Sequence, residues 1–361
     1  MKKSNYIKIN SIKKFPIFMG ATSKSFKIDK QDMNFEIDKN SGKVRIYPRV
    51  PLKKLYKFNH GEGTTGKTWK KHHQFFYNFC KKYLKGSVLE IGAGSNSITK
   101  YIDDFSKIDQ FISIGKNISK NKKNKKIKYI DKFIKIQKLN QKFDLIIHSH
   151  FFEHLFNPNF FLKSINKKLK DDGYHIFSMP NMRPMIKNGM ANVVSFEHPF
   201  YYDQKLTENY LENNSFEIKK KLLFGKSHSV LYRTKICKIK KDFSYNMFLE
   251  NKKLFKNLFN KWDRDVKKIN NLLIKKKIVY LFGAHIFSQL IVYLNLKKSI
   301  QGILDNDKSK QNKFLCGTNH KIFSPDILKI HKKAYIYLRA GEYNIEIKKQ
   351  IKKINKKIVF I

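Results

Sequence analysis

Cysteine is scarce in this sequence. Its three cysteines, Cys80, Cys237 and Cys316, stand far apart, and no C-x-x-C pair occurs. Neither a cysteine-held zinc module nor a disulfide framework can be assembled from them. No metal is expected on that count, and the chain reads as reduced and cytoplasmic. Arginine is scarce too: only Arg45, Arg49, Arg183, Arg233, Arg264 and Arg339 stand among the 76 basic residues. Proteins that read phosphates or bases lean on the bidentate guanidinium fork. The net charge of +48 is carried by lysine spread along the whole chain, beside abundant Asn and Ile. That pattern fits A+T-rich codons better than a nucleic-acid interface, so no nucleic-acid partner is expected. Long apolar runs are also missing. The nearest, Ile278 to Leu294, is broken by Gly283, His285, Ser288 and Gln289, and it falls short of the roughly 20 apolar residues of a membrane helix. Met1-Lys2-Lys3-Ser4-Asn5 is basic but is followed by no apolar core of signal-peptide length. No membrane partner is expected.

The chain does have length and a normal apolar content, 361 residues at 41% hydrophobic, enough for two or three domains with buried cores. The first part holds short extended pieces such as Lys43-Val44-Arg45-Ile46-Tyr47, separated by turns such as Asn40-Ser41-Gly42. From Trp69 to Tyr83, Phe75, Phe79 and Tyr83 recur at helical spacing. Val88 to Ile91 reads as a strand ending in glycines, and Phe143 to Ile147 as a second. Asn157-Pro158 is an N-cap and first-turn proline for a helix with Phe161, Ile165 and Leu169 on one stripe, stopped at Asp171-Asp172-Gly173. Tyr174 to Met179 is the next strand. Strand, helix, strand at this spacing implies a parallel sheet. A lysine-rich helical connector leads to a second α/β pattern: strands Ile278–Phe282, Ile300–Leu304 and Ala334–Leu338, with a glycine turn at Gly283-Ala284. The expected architecture is α/β, two Rossmann-like parallel-sheet domains with an irregular N-terminal segment. The boundaries are 1–80 for a substrate-side segment, 81–235 for the first α/β domain, 236–276 for the connector and 277–361 for the second α/β domain.

Glu90-Ile91-Gly92-Ala93-Gly94-Ser95-Asn96 follows a strand and is expected to open a helix. Glycines there let a ligand approach the backbone, and a helix N-terminus offers N–H groups. A pyrophosphate cofactor calls for G-x-G-x-x-G; here Ser97 stands at the third position and Glu90 would repel phosphate. A zwitterionic ligand without phosphate suits the turn better, S-adenosylmethionine being one.

Residues 88–183 resemble a class I S-adenosylmethionine-dependent methyltransferase. The likeness extends through Phe143-Asp144-Leu145-Ile146-Ile147-His148-Ser149-His150-Phe151-Phe152-Glu153-His154-Leu155, the helix after Asn157-Pro158, and Gly173-Tyr174-His175-Ile176-Phe177-Ser178-Met179-Pro180-Asn181. Phe196-Glu197-His198-Pro199-Phe200-Tyr201 and the C-terminal stretch from Leu281-Phe282-Gly283-Ala284 to Ala340-Gly341-Glu342-Tyr343-Asn344 narrow the resemblance to sugar C-methyltransferases with an extra C-terminal domain. The resemblance implies S-adenosylmethionine as cofactor, lined by Glu90, Gly92, Ala93, Gly94 and His150, and a nucleotide-sugar as partner. It implies His198 backed by Glu197, with Tyr201 and His154, as the catalytic set. Histidine titrates near neutrality and suits removal of a proton beside a carbonyl. The sequence departs from the family in three ways, one being Asn96 in place of the third motif glycine. The usual N-terminal cysteine module is absent, and Ile114 runs into Gly115-Lys116 where an acid commonly holds the cofactor ribose. O-methylation of a sugar is the alternative chemistry.

Gly61-Glu62-Gly63-Thr64-Thr65-Gly66-Lys67-Thr68 fits G-x-x-x-x-G-K-[ST] letter for letter. The half-polar residues before it do not read as the buried strand a P-loop needs, and Glu62 would sit among phosphates. A P-loop nucleotide hydrolase is thus only an alternative from a different class, as is a basic nucleic-acid-binding module. Asp305-Asn306-Asp307 lacks further ligands at loop spacing and reads as a turn rather than a metal site.

Overall fold

The computed structural model describes residues 5–23, 28–55, 66–94, 97–116, 118, 124–132, 136–237 and 244–361. The chain divides into two compact units. One comprises Met1–Phe58, Ile186–Phe196 and Met247–Ile361; the other comprises Asn59–Met185 and Glu197–Asn246.

The second unit is built on a seven-stranded sheet. Across it, the order is Phe216–Phe224, Ser229–Ile236, Leu169–Pro180, Phe143–Ser149, Gly86–Ile91, Ile108–Gly115, Ile127–Asp131. The last five are parallel, and the hairpin formed by the first two is antiparallel. Val88, Leu89, Leu145, Ile146 and Ile147 are fully buried, as strands covered on both faces require. Each such side chain contributes about 1.5–3 kcal/mol of apolar burial. The chain leaves Gly86–Ile91 toward one edge and returns to pair Phe143–Ser149 on its other side. That reversal is a switch point, and in open α/β sheets ligands bind beyond the carboxyl ends of the strands there.

Helix Lys67–Cys80 covers this sheet. Its buried line is His72, Phe76 and Cys80, at intervals of four, rather than the Phe75–Phe79–Tyr83 line expected; Phe75 and Tyr83 are only partly buried. Helix Pro158–Lys168 has the expected N-cap, with Asn157 Oδ1 accepting from Phe160 N at 3.0 Å. It ends one turn early, because Leu169 already enters the next strand.

The first unit carries a five-stranded parallel sheet in the order Ile322–Phe323, Gly302–Leu304, Val279–Phe282, Tyr335–Leu338, Val359–Phe360. Asp305 forms a turn as expected, accepting from Ala284 N at 2.7 Å and Asp307 N at 2.9 Å. Part of the N-terminal segment is regular: Tyr6–Pro16, Lys30–Asp38 and Val44–Tyr47 make a three-stranded antiparallel sheet. Met33, Phe35 and Ile37 alternate inward. The segment expected to connect the two α/β parts is helix Phe248–Ile274, which buries Leu254, Phe255, Leu258, Phe259, Trp262 and Ile269. Phe259 meets Phe35 edge-on at 5.1 Å, so this helix is a core element of its unit. Among the described residues no helix is long and apolar enough to cross a membrane.

Candidate active site

The glycine turn leaves strand Gly86–Ile91 at the switch point. Gly92 and Gly94 have φ of +73° and +50°, a region that a side chain makes costly. A Cβ on Gly92 would stand 2.5 Å from Phe151 Cδ2, so the turn rests on the residue following His150. Among the described residues, a Cβ on Gly94 would meet nothing nearer than Lys116 O at 3.9 Å, so these residues leave space above Gly94 where a ligand could lie against the backbone.

Ser95 and Asn96 lie outside the described residues; among the described residues after them no α-helix follows this turn, and Ile98–Lys100 is a single 3-10 turn. The reason is local. Glu90, buried beneath the turn, accepts from Ile98 N at 2.7 Å, Ser97 Oγ at 2.6 Å and Ser113 Oγ at 2.7 Å. Strand register sets Ser113 opposite Glu90. Gly92 N and Ala93 N both donate to Ile114 O, at 2.8 and 3.1 Å. The N–H groups of Gly92, Ala93 and Ile98 are thus already taken by protein acceptors. Burial raises the Glu90 carboxyl pKa above its ordinary value, while the three hydrogen bonds oppose that shift. Glu90 ties the turn to two neighbouring segments, a role that the pattern of residues had not disclosed. Gly115 was also missed: a Cβ there would stand 3.0 Å from both Ala93 N and Gly94 N. The end of the second strand is thereby pressed against the turn.

Strand Phe143–Ser149 delivers the next group. His150 has φ of +49°, and its ring lies 2.9 Å from Ser229 Oγ through Nε2 and 3.2 Å from Glu153 Oε1 through Nδ1. Burial lowers its pKa to about 3, so the ring is neutral at physiological pH. Glu153 is 1% exposed, and burial raises its pKa. Three residues of the expected catalytic set meet beside it. His154 Nδ1 lies 3.1 Å from the Glu197 carbonyl oxygen and 3.9 Å from the Glu197 carboxylate. A carbonyl only accepts, so Nδ1 carries the proton in that bond and Nε2 presents the lone pair. The His154 and His198 rings stand edge to face at 4.9 Å. Glu153, His154 and His198 each present a ligand-type atom within 4.8 Å of the others. Glu153 lies inside the quoted Phe152-Glu153-His154 run, yet only the fold shows that its carboxyl is buried next to two imidazoles.

Tyr201 belongs to a neighbouring group. It is buried beside the Arg183–Asp203 ion pair, where Arg183 Nη1 meets Asp203 Oδ2 at 3.0 Å. Burial and the Asp203 charge push its phenol pKa well up, so it stays protonated. Asp203 also caps helix Gln204–Asn213, accepting from Leu206 N at 2.8 Å. Of the P-loop-like run, Gly61 to Thr65 lie outside the described residues; Lys67 and Thr68 open helix Lys67–Cys80, and Leu52–Leu55 upstream is a helical turn rather than a strand.

This sheet order and the switch-point turn define a domain of the Rossmann-like α/β class. Residues 67–221 match the family model described as a methyltransferase domain. Among solved structures, the fold is similar to an S-adenosylmethionine-dependent methyltransferase from Clostridium acetobutylicum, at 14% identity and a TM-score of 0.35, over 46% of this chain and 92% of that one. One from Mesorhizobium loti gives 12% identity and a TM-score of 0.38 over 48% and 100%. The N-methyltransferase NodS from Bradyrhizobium japonicum, in complex with S-adenosyl-L-homocysteine, gives 14% and 0.35 over 47% and 88%. No curated protein matches the chain in sequence. Residues 67–221 carry the methyltransferase domain of this chain, and S-adenosylmethionine-dependent methyl transfer is the activity that the match supports.

Proposed function

We propose that this enzyme methylates carbon of a nucleotide-linked keto-sugar, with the His154–His198 pair as general base. The observation that carries the reading is the gathering of two imidazoles and two carboxyls, His154, His198, Glu153 and Glu197, just beyond the end of strand Phe143–Ser149. O-methylation needs only a hydroxyl proton removed, whereas a carbon nucleophile requires a stronger base held in a controlled protonation state. Gly92, Ala93, Gly94 and His150 are assigned to the donor, with the open space above Gly94 as its seat. Glu90 acts on the donor through the turn that it braces. S-adenosylmethionine supplies an electrophilic methyl group on sulfonium.

In the proposed reaction the imidazole pair takes the proton from the carbon beside the sugar carbonyl. The bonding electrons form an enolate whose carbon attacks the methyl group; the methyl–sulfur electron pair stays on sulfur and the carbonyl re-forms. Glu197 holds the His154 tautomer through its carbonyl. Glu153, kept toward its neutral form by burial, limits the negative charge that would otherwise make His154 and His198 hold their protons. Tyr201 and Arg183 are assigned to positioning the acceptor loop.

The test is mass spectrometry of keto-sugar nucleotides incubated with the enzyme and S-adenosylmethionine in deuterated water. A mass gain of one methyl group, with a carbon-bound hydrogen exchanged for deuterium, is expected. A methyl group placed on oxygen would refute the reading.

A further inference from the structure

His150 faces a second cluster, separate from the acid–base group. Its ring centroid lies 5.0 Å from that of His72 and 6.0 Å from that of His228; His72 and His228 are 5.3 Å apart. The three come from distant parts of the sequence: helix Lys67–Cys80, the end of strand Phe143–Ser149, and the turn between strands Phe216–Phe224 and Ser229–Ile236. One ring nitrogen of each lies within 4.8 Å of the other two. Trp69 walls the group, edge-on to His150 at 4.8 Å and to His228 at 4.7 Å, and Phe224 closes another side at 5.3 Å from both His72 and His228.

We propose that His72, His150 and His228 form a binding site for a divalent first-row transition metal, with zinc as its representative.

Two observations bear on it. His72 is fully buried, and among the described residues neither of its ring nitrogens has a hydrogen-bond partner. Leaving two polar atoms bare in a core is costly unless something else engages them. His150 is set as metal-bound histidines are set: one nitrogen faces the cluster while the other faces the Glu153 carboxylate at 3.2 Å.

The ligand chemistry narrows the ion. Three imidazoles without carboxylate or thiolate suit zinc, cobalt, nickel or copper, and not calcium or magnesium. In a tetrahedral zinc site the nitrogens stand about 3.3 Å apart, so binding draws the three rings inward. Ser229 Oγ now lies 2.9 Å from His150 Nε2 and 2.6 Å from His228 Nδ1, its one hydrogen serving only one of them, and both contacts give way to the ion. His150 and His228 are partly exposed, which leaves the fourth position open to water. The cysteine-based expectation of no metal does not address this site, since no cysteine takes part.

The experiment is calorimetric titration of the full-length chain, stripped with chelator, with zinc chloride alone. One ion per chain with a sub-micromolar Kd is expected, and cobalt should give the visible absorption of a tetrahedral nitrogen site. His228→Asn, on a hairpin turn where folding is easily retained, should weaken zinc binding by about 100-fold; its thermal melt checks that the fold persists. His154→Asn should leave zinc affinity unchanged. Absence of binding below about 100 μM in the folded wild type overturns the proposal. So does tight binding that survives His228→Asn, or binding abolished by His154→Asn, which would move the ion to the Glu153–His154–His198 group. None of these readouts involves methyl transfer.

Discussion

Removing the Glu90 carboxyl should damage the donor turn more than any single glycine contact suggests. Glu90→Ala strips three hydrogen bonds at 2.6–2.7 Å from a residue only 5% exposed. The two serine hydroxyls can rotate, and Ser97 Oγ retains Thr99 Oγ1 at 2.7 Å. The Ile98 N–H cannot rotate, and it is left bare in the core. A bare buried donor costs about 1–3 kcal/mol, and each remaining lost bond about 1 kcal/mol. Against this stands relief from desolvating a carboxyl whose pKa burial has raised. The expected net loss is about 3 kcal/mol, or roughly 6–12 °C in Tm for a unit of this size. Glu90→Gln keeps the shape and an acceptor for Ile98, so about 1 kcal/mol is expected. The pH dependence has a definite sign. A carboxyl with a raised pKa binds its proton more tightly when folded, so the folded state gains stability as pH falls through that raised pKa, and the gain levels off below the ordinary carboxylate value. The wild type should therefore gain on Glu90→Gln, which cannot titrate, between pH 7 and pH 5. Urea melts at several pH values, paired with S-adenosylhomocysteine calorimetry, measure both effects. A Glu90→Ala protein within 0.5 kcal/mol of wild type (roughly the limit for neutral surface changes), or one binding S-adenosylhomocysteine normally, would refute the bracing role.

Further outcomes follow from the same geometry. Gly92→Arg should abolish S-adenosylhomocysteine binding by calorimetry, because φ is +73° and the Cβ position already overlaps Phe151. His198→Ala should slow turnover by about 10²–10⁴-fold while S-adenosylhomocysteine affinity stays within threefold, roughly the spread of a lost peripheral contact; full activity would remove His198 from the mechanism. Asp203→Ala removes both a helix cap and the partner of Arg183, and should lower stability by about 2–3 kcal/mol in denaturant melts. Lys67→Ala should leave methyl transfer within about tenfold, a barrier change of no more than ~1.4 kcal/mol; ATP hydrolysis lost in this variant would instead point to a P-loop.

What could be read from the sequence follows from how local each signal is. Strands such as Val88–Ile91 and Phe143–Ile147 show as apolar runs ended by turn residues, and the Asn157-Pro158 helix start carries its own cap. These are short-range features, and the fold has them where they were expected. The helix after the glycine turn was inferred by analogy with phosphate-binding turns. Among the described residues no α-helix follows that turn, and the N–H groups of Gly92, Ala93 and Ile98 are accepted there by Ile114 and Glu90. The antiparallel N-terminal sheet escaped notice because its register is decided across strands: Phe35 pairs Ile46 on one side and Asn10 on the other, with irregularities that local alternation does not reveal.

Residues whose chemistry depends on burial were the hardest to see. His72 reads as one polar residue in an aromatic helix until Phe76 and Cys80 place it on the inward line at intervals of four. Its partners lie on a strand end and a hairpin turn that meet only because Ser229–Ile236 runs antiparallel to Leu169–Pro180, with Ser229 opposite Pro180. That register brings His228 to the same edge of the sheet as His150, and Ser229 Oγ touches both rings. Ligands for a cysteine-held zinc advertise themselves by close spacing in sequence; ligands assembled by sheet register do not. Glu153 follows the same logic. In sequence it is one of several acids, whereas in the fold it is a buried carboxyl reaching His150 on one side and the His154–His198 pair on the other. Replacing it should therefore disturb both groups, because one side chain serves as the common neighbour of each.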